Sequence, residues 1–240
     1  MKKSFSADEI GDIAEDTFKS ICSHSGITAT KPDRDRFGWD YLLEFKSDLP
    51  VVILDETEMN YFCNVQVKGF DCNYEAYSGR GIKLSNIKTM IDRNSPQFFV
   101  FIQADYVNRK VILVHFDNKL IQKGLERIRQ AQNDNTDLHK TEMTINPHQH
   151  NSYEISIDNL KAVLTKIIGP SMTSYEKEKT QFKEVVGYEN GKYEIVCTAN
   201  VSDMVDVHLG LRNKVPVELQ SISSLRFGIP IQLDSKSFSS

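Results

Sequence analysis

At 240 residues, with 26% charged and 40% hydrophobic side chains, the chain has the composition of a soluble globular protein, either one large domain or a medium domain and a small one. No apolar run reaches the roughly 18 residues of a membrane span. The start, MKKSFSADEIGD, lacks the apolar core of a secretory signal, and four cysteines without a CxxC pair predict reduced thiols in a cytoplasmic protein. The net charge of −4 does not by itself advertise a polyanion partner, but its distribution is uneven. Met1 to Val67 carries 7 Lys/Arg against 13 Asp/Glu (−6), Lys68 to Arg129 carries 11 against 6 (+5), and the remainder 11 against 14 (−3). An acidic segment followed by a basic one suits a metal site beside a phosphate-binding surface, and equally the ordinary fluctuation of solvated surface charge.

In chain order, Ser6-Ala7-Asp8-Glu9 forms a capping-box pattern. Ile10, Ile13, Ala14, Thr17, Phe18, Ile21 and Cys22 follow at helical spacing, and Gly26 ends the predicted helix. The turn-rich KPDRDRFG leads to a predicted strand from Trp39 to Phe45, and a further short strand is expected over Val51 to Leu54. Tyr61 to Lys68 has the clearest alternation, with Cys63, Val65 and Val67 on one face, Asn64, Gln66 and Lys68 on the other, and Gly69 at its close. A polar loop over Asp71 to Gly81 precedes a short helix from about Ser85 to Arg93. Gln97 to Gln103 and Lys110 to Phe116 are predicted strands joined by a turn at Asp105 to Arg109, and Lys119 to Gln132 a basic amphipathic helix. Short strands are expected at Thr141 to Ile145 and Tyr153 to Ile157, then a helix capped by Asn159 and stopped by Gly169-Pro170. Beyond Pro170 comes a charged stretch, then strand-like patterns at Tyr193 to Cys197, Val205 to Leu209 and Val215 to Leu219. The expected division is therefore 1–170 and a small β-rich module, 171–240, that carries no motif tied to chemistry. That module makes the chain a candidate subunit of a larger assembly.

Phosphodiester hydrolysis at neutral pH needs a hard cation held by oxygens, an activated water, and positive charge near the phosphate. An Asp on one strand and a Gln/Glu-x-Lys pair on its neighbour gather these groups, because the strand period of two brings the outer pair to one face. Gly38-Trp39-Asp40 leads one predicted strand and Gln66-Val67-Lys68 ends the next, 26 positions on. Glu15, on the first helix, can add a carboxylate. Each element alone is common: Gly-x-Asp is a frequent turn, and a helix-edge glutamate is usually a solvated one. Lys119, Lys123 and Arg127 on the basic helix, with Lys83, are candidates for gripping phosphates, although a charged helix face is most often just solvated. Tyr74, Tyr77 and Arg80 follow the central strand, within reach of a nucleotide or in a plain polar loop. His148-Gln149-His150 lacks zinc-ligand spacing, and Cys22, Cys63 and Cys197 sit in apolar patterns expected of core residues.

A helix with Gly11-x-x-x-Glu15, then Gly-x-Asp40, then strand-borne QVKG, a short helix and the strand PQFFVFIQAD together resemble the PD-(D/E)XK nuclease superfamily. The likeness is to its Mrr-type restriction and Holliday-junction-resolvase-like branches, and to a nuclease-like domain of bacterial and phage-defence proteins. It spans about Ile10 to Ile168. It implies an α/β restriction-endonuclease-like core, a central mixed sheet of four or five strands flanked by helices, with Mg²⁺ or Mn²⁺ as cofactor. It also implies Asp40 as the main metal carboxylate, Gln66 and the Val67 carbonyl as further ligands, Lys68 as the group handling the water, and Glu15 as an outer acid. Most of the superfamily has an acid where Gln66 stands, whereas the restriction branches named also use Gln-x-Lys. The expected activity is metal-dependent cleavage of DNA, in a restriction or anti-phage system. The alternative is a catalytically silent module of the same fold that binds DNA or a partner protein, with self-association also open.

Overall fold

The computed structural model describes residues 5–32, 38–46, 60–105 and 109–233. The expected strand at Val51 to Leu54 lies outside them, as does the middle of the turn at Asp105 to Arg109. The first helix, α1 (Ala7–His24), begins with the predicted capping box: Ser6 Oγ accepts from the Glu9 amide at 3.2 Å, and Glu9 Oε2 accepts from the Ser6 amide at 2.8 Å. It buries Ala14, Phe18, Ile21 and Cys22 along one stripe.

The main sheet has six strands, against the four or five expected. They are β1 (Thr28–Thr30), β2 (Tyr41–Lys46), β3 (Asn60–Phe70), β5 (Gln97–Gln103), β6 (Val111–His115) and β8 (Ser152–Glu154), in the order β1-β2-β3-β5-β6-β8. Every neighbouring pair is antiparallel except β3–β5, whose parallel register runs from Asn64↔Gln97 to Phe70↔Gln103. A parallel pair needs a crossover, here supplied by β4 (Arg80–Lys83) and α2 (Leu84–Asp92). β4 pairs instead with β7 (Glu142–Ile145) in a two-stranded ribbon. β5 is buried along its whole length, as expected of a central strand covered on both faces.

The inward residues of β2, β3, β5 and β6 (among them Leu43, Val65, Val100 and Leu113) form one apolar cluster with α1 and with α4 (Leu160–Ile168). Gly169, at φ +81°, ends α4, and its carbonyl accepts from the Tyr61 hydroxyl at 2.9 Å. On the opposite face Phe99, Phe101, Ile112 and Val114 are equally buried. There α2 and α3 (Asn118–Asn133) contribute a second buried set that includes Ile87, Met90, Leu120 and Ile121. The two helices touch at Gly124, where an added Cβ would lie 2.8 Å from Ile87 Cγ2. The larger unit is thus α/β, a mixed sheet flanked by helices. No helix among the described residues is long and apolar enough to cross a membrane.

The chain divides into two compact units. The larger comprises the chain up to Leu125 together with Leu138–Glu184; the smaller comprises Glu126–Asp137 with the chain from Val185 onward. The division expected at Pro170 falls instead after Glu184, because α5 (Met172–Val185) is tied to the larger unit by buried contacts. Lys179, 3% exposed, donates to the carbonyls of Met90 and Ser95 at 3.3 and 3.0 Å, and Lys183 to the carbonyl of Ile91 at 3.0 Å. The smaller unit holds a three-stranded antiparallel sheet, β11-β10-β9, made of β9 (Tyr193–Ala199), β10 (Val217–Arg226) and β11 (Ile229–Gln232). The end of α3 joins it through Arg129, whose guanidinium donates to the carbonyls of Ser224 and Ile229.

Five further expectations are corrected. Val205 to Leu209 is not a strand but the end of α6 (Val201–His208), capped by Asn200, whose side chain accepts from the Ser202 amide. β3 continues past Gly69 to Phe70, and β8 stops at Glu154 and leaves Ile157 exposed. Cys197 is exposed, not core, whereas Cys22 and Cys63 are buried. The polar loop after β3 contains a 3₁₀ turn (Tyr74–Ala76) before β4.

Candidate functional site

Strand lengths create the site. β2 pairs with β3 from Lys46↔Asn60 to Tyr41↔Val65 and then ends, while β3 runs on to Phe70 beside β5. Asp40 stands one residue outside the last paired position of β2, Tyr41, beside β3. Asp40 is fixed at both levels: its amide donates to the Val65 carbonyl at 2.8 Å, and its Oδ2 accepts from the Val67 amide at 2.6 Å. Gly38, two residues before, has φ +70°, and an added Cβ would stand 3.3 Å from Asn86 Cβ, so the glycine of the Gly-x-Asp pattern is required by backbone and space. The Arg93 guanidinium lies 5.7 Å from the centre of the Trp39 ring.

Gly69 brings α1 to the same place. An added Cβ there would meet the Ile10 carbonyl oxygen at 2.5 Å, so helix backbone rests directly on strand backbone. The result is a cleft of about 360 Å³ at the end of β2, lined in part by Gly11, Glu15, Asp40, Lys68, Tyr77 and Arg80. Val67 also lines it.

The predicted catalytic set is brought together only in part. Asp40, Val67 and Lys68 share the cleft wall, and Lys68, partly exposed, makes no hydrogen bond or ion pair among the described residues. Glu15 also lines it but is ion-paired with Lys31, and the Lys31 ammonium is held above its usual range chiefly by that hydrogen bond. Gln66 is 5% exposed and does not line the cleft. Its Oε1 is buried with no hydrogen-bond partner among the described residues. Buried carbonyl oxygens are normally satisfied, and a cation beside Asp40 is one group that would satisfy this one. Among the described residues no three His, Cys, Asp or Glu side chains gather where they could hold a metal. A cation here would rest on one carboxylate, an amide and a backbone carbonyl, oxygen donors suited to Mg²⁺ or Mn²⁺.

Of the residues expected to grip nucleic acid, Arg80 alone lines this cleft. Lys83 stands at the far end of β4, opposite Glu142. Lys119 lines a different cleft, of about 520 Å³, with His115, Tyr175 and Lys179, while Lys123 is exposed on α3 and Arg127 belongs to the smaller unit. Tyr77 gains importance over its sequence reading. It is 8% exposed, its ring stacks on Phe70 at 4.2 Å, burial pushes its phenol up to about 12, and its hydroxyl has no partner among the described residues. The signal available in the sequence was its position three residues before Arg80, on the segment that leaves the motif strand.

No protein-family model matches this chain, and no curated protein matches it.

Proposed function

We propose that the larger unit is a Mg²⁺- or Mn²⁺-dependent nuclease of the PD-(D/E)XK type that hydrolyses DNA phosphodiester bonds, as an effector of a restriction or anti-phage system. The observation that carries the reading is the overhang of β3 past β2. It sets Asp40 against the Val67 amide, next to Lys68 on the same cleft wall, with the orphaned Gln66 oxygen on the adjoining residue of β3. The order of elements supports it as well: a helix, the Asp-bearing strand, the Gln-x-Lys strand, a short helix, and a strand parallel to the second of these.

In this reading Asp40, Gln66 Oε1 and the Val67 carbonyl would hold the ion. A bound divalent cation supplies a polarised phosphoryl oxygen and a water of lowered pKa. The Lys68 ammonium orients the attacking water and offsets charge building on the phosphate. Arg80, exposed at the rim, binds a neighbouring phosphate oxygen. Asp40 is held in place by the Val67 amide, so its carboxylate meets the ion without reorganising.

The second reading, a silent module that binds DNA or a partner protein, is favoured by one observation: Gln66 is neutral and lies behind the cleft wall instead of on it. Incubation of plasmid and linear DNA with the protein in Mg²⁺, Mn²⁺ or EDTA, beside a Lys68→Ala control, separates the two. Metal-dependent cutting lost in the variant supports the nuclease. Salt-sensitive binding without cutting in any metal rejects it in favour of the binding module.

A further inference from the structure

We infer that the smaller unit is a self-association module, in which two copies of this chain bury the open apolar face of the β9–β10 sheet and the apolar stripe of α6 against each other. The register of β9 and β10, irregular only between Leu219 and Ser221, gathers apolar side chains on one face. Cys197 faces Leu219 and Ala199 faces Val217, and the period of two puts Tyr193 and Ile195 on the same side. The opposite face carries Glu194, Thr198 and Glu218, with Val196, 47% exposed, between them. Tyr193, Ile195, Val217 and Leu219 are 54–61% exposed, so it is the apolar face of an amphipathic sheet that stands open.

α6 repeats the pattern. Val201, Met204, Val205 and Leu209 recur at helical spacing and are 49–74% exposed. Its charged side is already satisfied internally, with Arg212 paired to Asp203 and, at 3.5 Å, to Asp206. Two secondary-structure elements of one small unit thus expose the faces that such elements normally bury.

A second copy is the occupant that fits, for reasons of area and charge. Eight apolar side chains, each about half exposed or more, offer on the order of 800 Å² per copy, which is the half-interface of a stable dimer. None of the eight is charged, so a two-fold contact between identical faces brings no like charges together. Residues 185–240 carry five Lys/Arg and six Asp/Glu, so repulsion between copies is minimal.

Sedimentation equilibrium or light scattering of the full chain from about 1 to 100 µM tests the inference. The expected mass is twice the 27.4 kDa of one chain. Ile195→Lys and Met204→Glu replace side chains that are already solvent-exposed. Each is expected to keep the far-UV circular dichroism of the parent while weakening dimerisation at least tenfold. A parent chain that remains monomeric throughout this range overturns the inference, even if it captures a foreign protein. Folded variants that keep the dimer mass overturn it equally.

Discussion

Gln66 is the residue on which the proposed chemistry turns, because its side chain is buried, neutral and unsatisfied at Oε1 among the described residues. Gln66→Glu would place a carboxylate one residue from the Val67 amide that holds Asp40. Without metal, a buried acid near the half-buried Asp40 is repelled and the protein loses stability; with metal, the added charge strengthens the hold on the cation. The expected outcome is a melting temperature below that of the parent in EDTA and a larger upward shift on adding Mg²⁺, both read by calorimetry. Equal shifts in the two proteins would remove Gln66 from the metal set. Lys68→Ala is expected to lower metal-dependent DNA cleavage by about 10²-fold or more while leaving the fold intact, since the Lys68 side chain makes no bond that the fold needs among the described residues. Gly69→Ala tests the helix–strand contact. Its methyl would meet the Ile10 carbonyl, costing about 1–3 kcal/mol in chemical denaturation, and it would displace the α1 wall of the cleft.

At the scale of elements, α5 acts as a clamp on the C-terminal end of α2. Lys179 and Lys183, one turn apart, donate to carbonyls at the end of that helix and just beyond it, where its dipole favours positive charge. Burial nevertheless lowers the Lys179 ammonium to about 7, with the neighbouring Lys183 charge lowering it further and Glu176 opposing. Between pH 7 and 10.5 the unfolded chain therefore holds a proton that the folded chain has released, so this group's contribution to stability rises with pH across that window. Lys179→Met removes the contribution. The stability difference, parent minus variant, is expected to grow in favour of the parent from pH 7 to 10 in urea titrations, and a flat difference would contradict the assignment.

The elements that the sequence shows most clearly are those in which burial follows a strict period. Cys63, Val65 and Val67 alternate on β3, and the stripe of α1 repeats every third or fourth residue. The closeness of Asp40 to the Gln66–Lys68 strand could be anticipated from the order of the two motifs, but the retreat of Gln66 behind the cleft wall could not, because it depends on where β2 stops. α5 carries few apolar residues and is anchored through lysines, so its sequence showed only a charged stretch. α6 is rich in valine, which favours strands, and its Asn200 cap decides otherwise. The β10–β11 turn places Phe227 and Gly228 at φ +56° and +72°, a geometry that phenylalanine seldom signals.

For the whole molecule, metal binding to the proposed site raises the stability of the folded state by mass action. With a dissociation constant of roughly 1 mM, 10 mM Mg²⁺ adds about 1.4 kcal/mol, a rise in melting temperature of about 3–6 °C for a chain of this size. Asp40→Asn keeps an acceptor for the Val67 amide but loses the charge, and is expected to abolish the shift; Lys68→Ala should retain it. This pair distinguishes holding the ion from using it, independently of any cleavage.

The larger unit is interrupted in sequence: residues 126–137, within it in chain order, belong to the smaller one. During synthesis, α5 is the last part of the larger unit to emerge, so the carbonyls at the end of α2 wait for Lys179 and Lys183 until the chain is complete to Glu184. The smaller unit cannot close before then either, because its Arg129 needs Ser224 and Ile229. Neither unit is therefore a single stretch that can be lifted from one protein and appended to another. A gene that exchanged either half at one crossover would lose part of both.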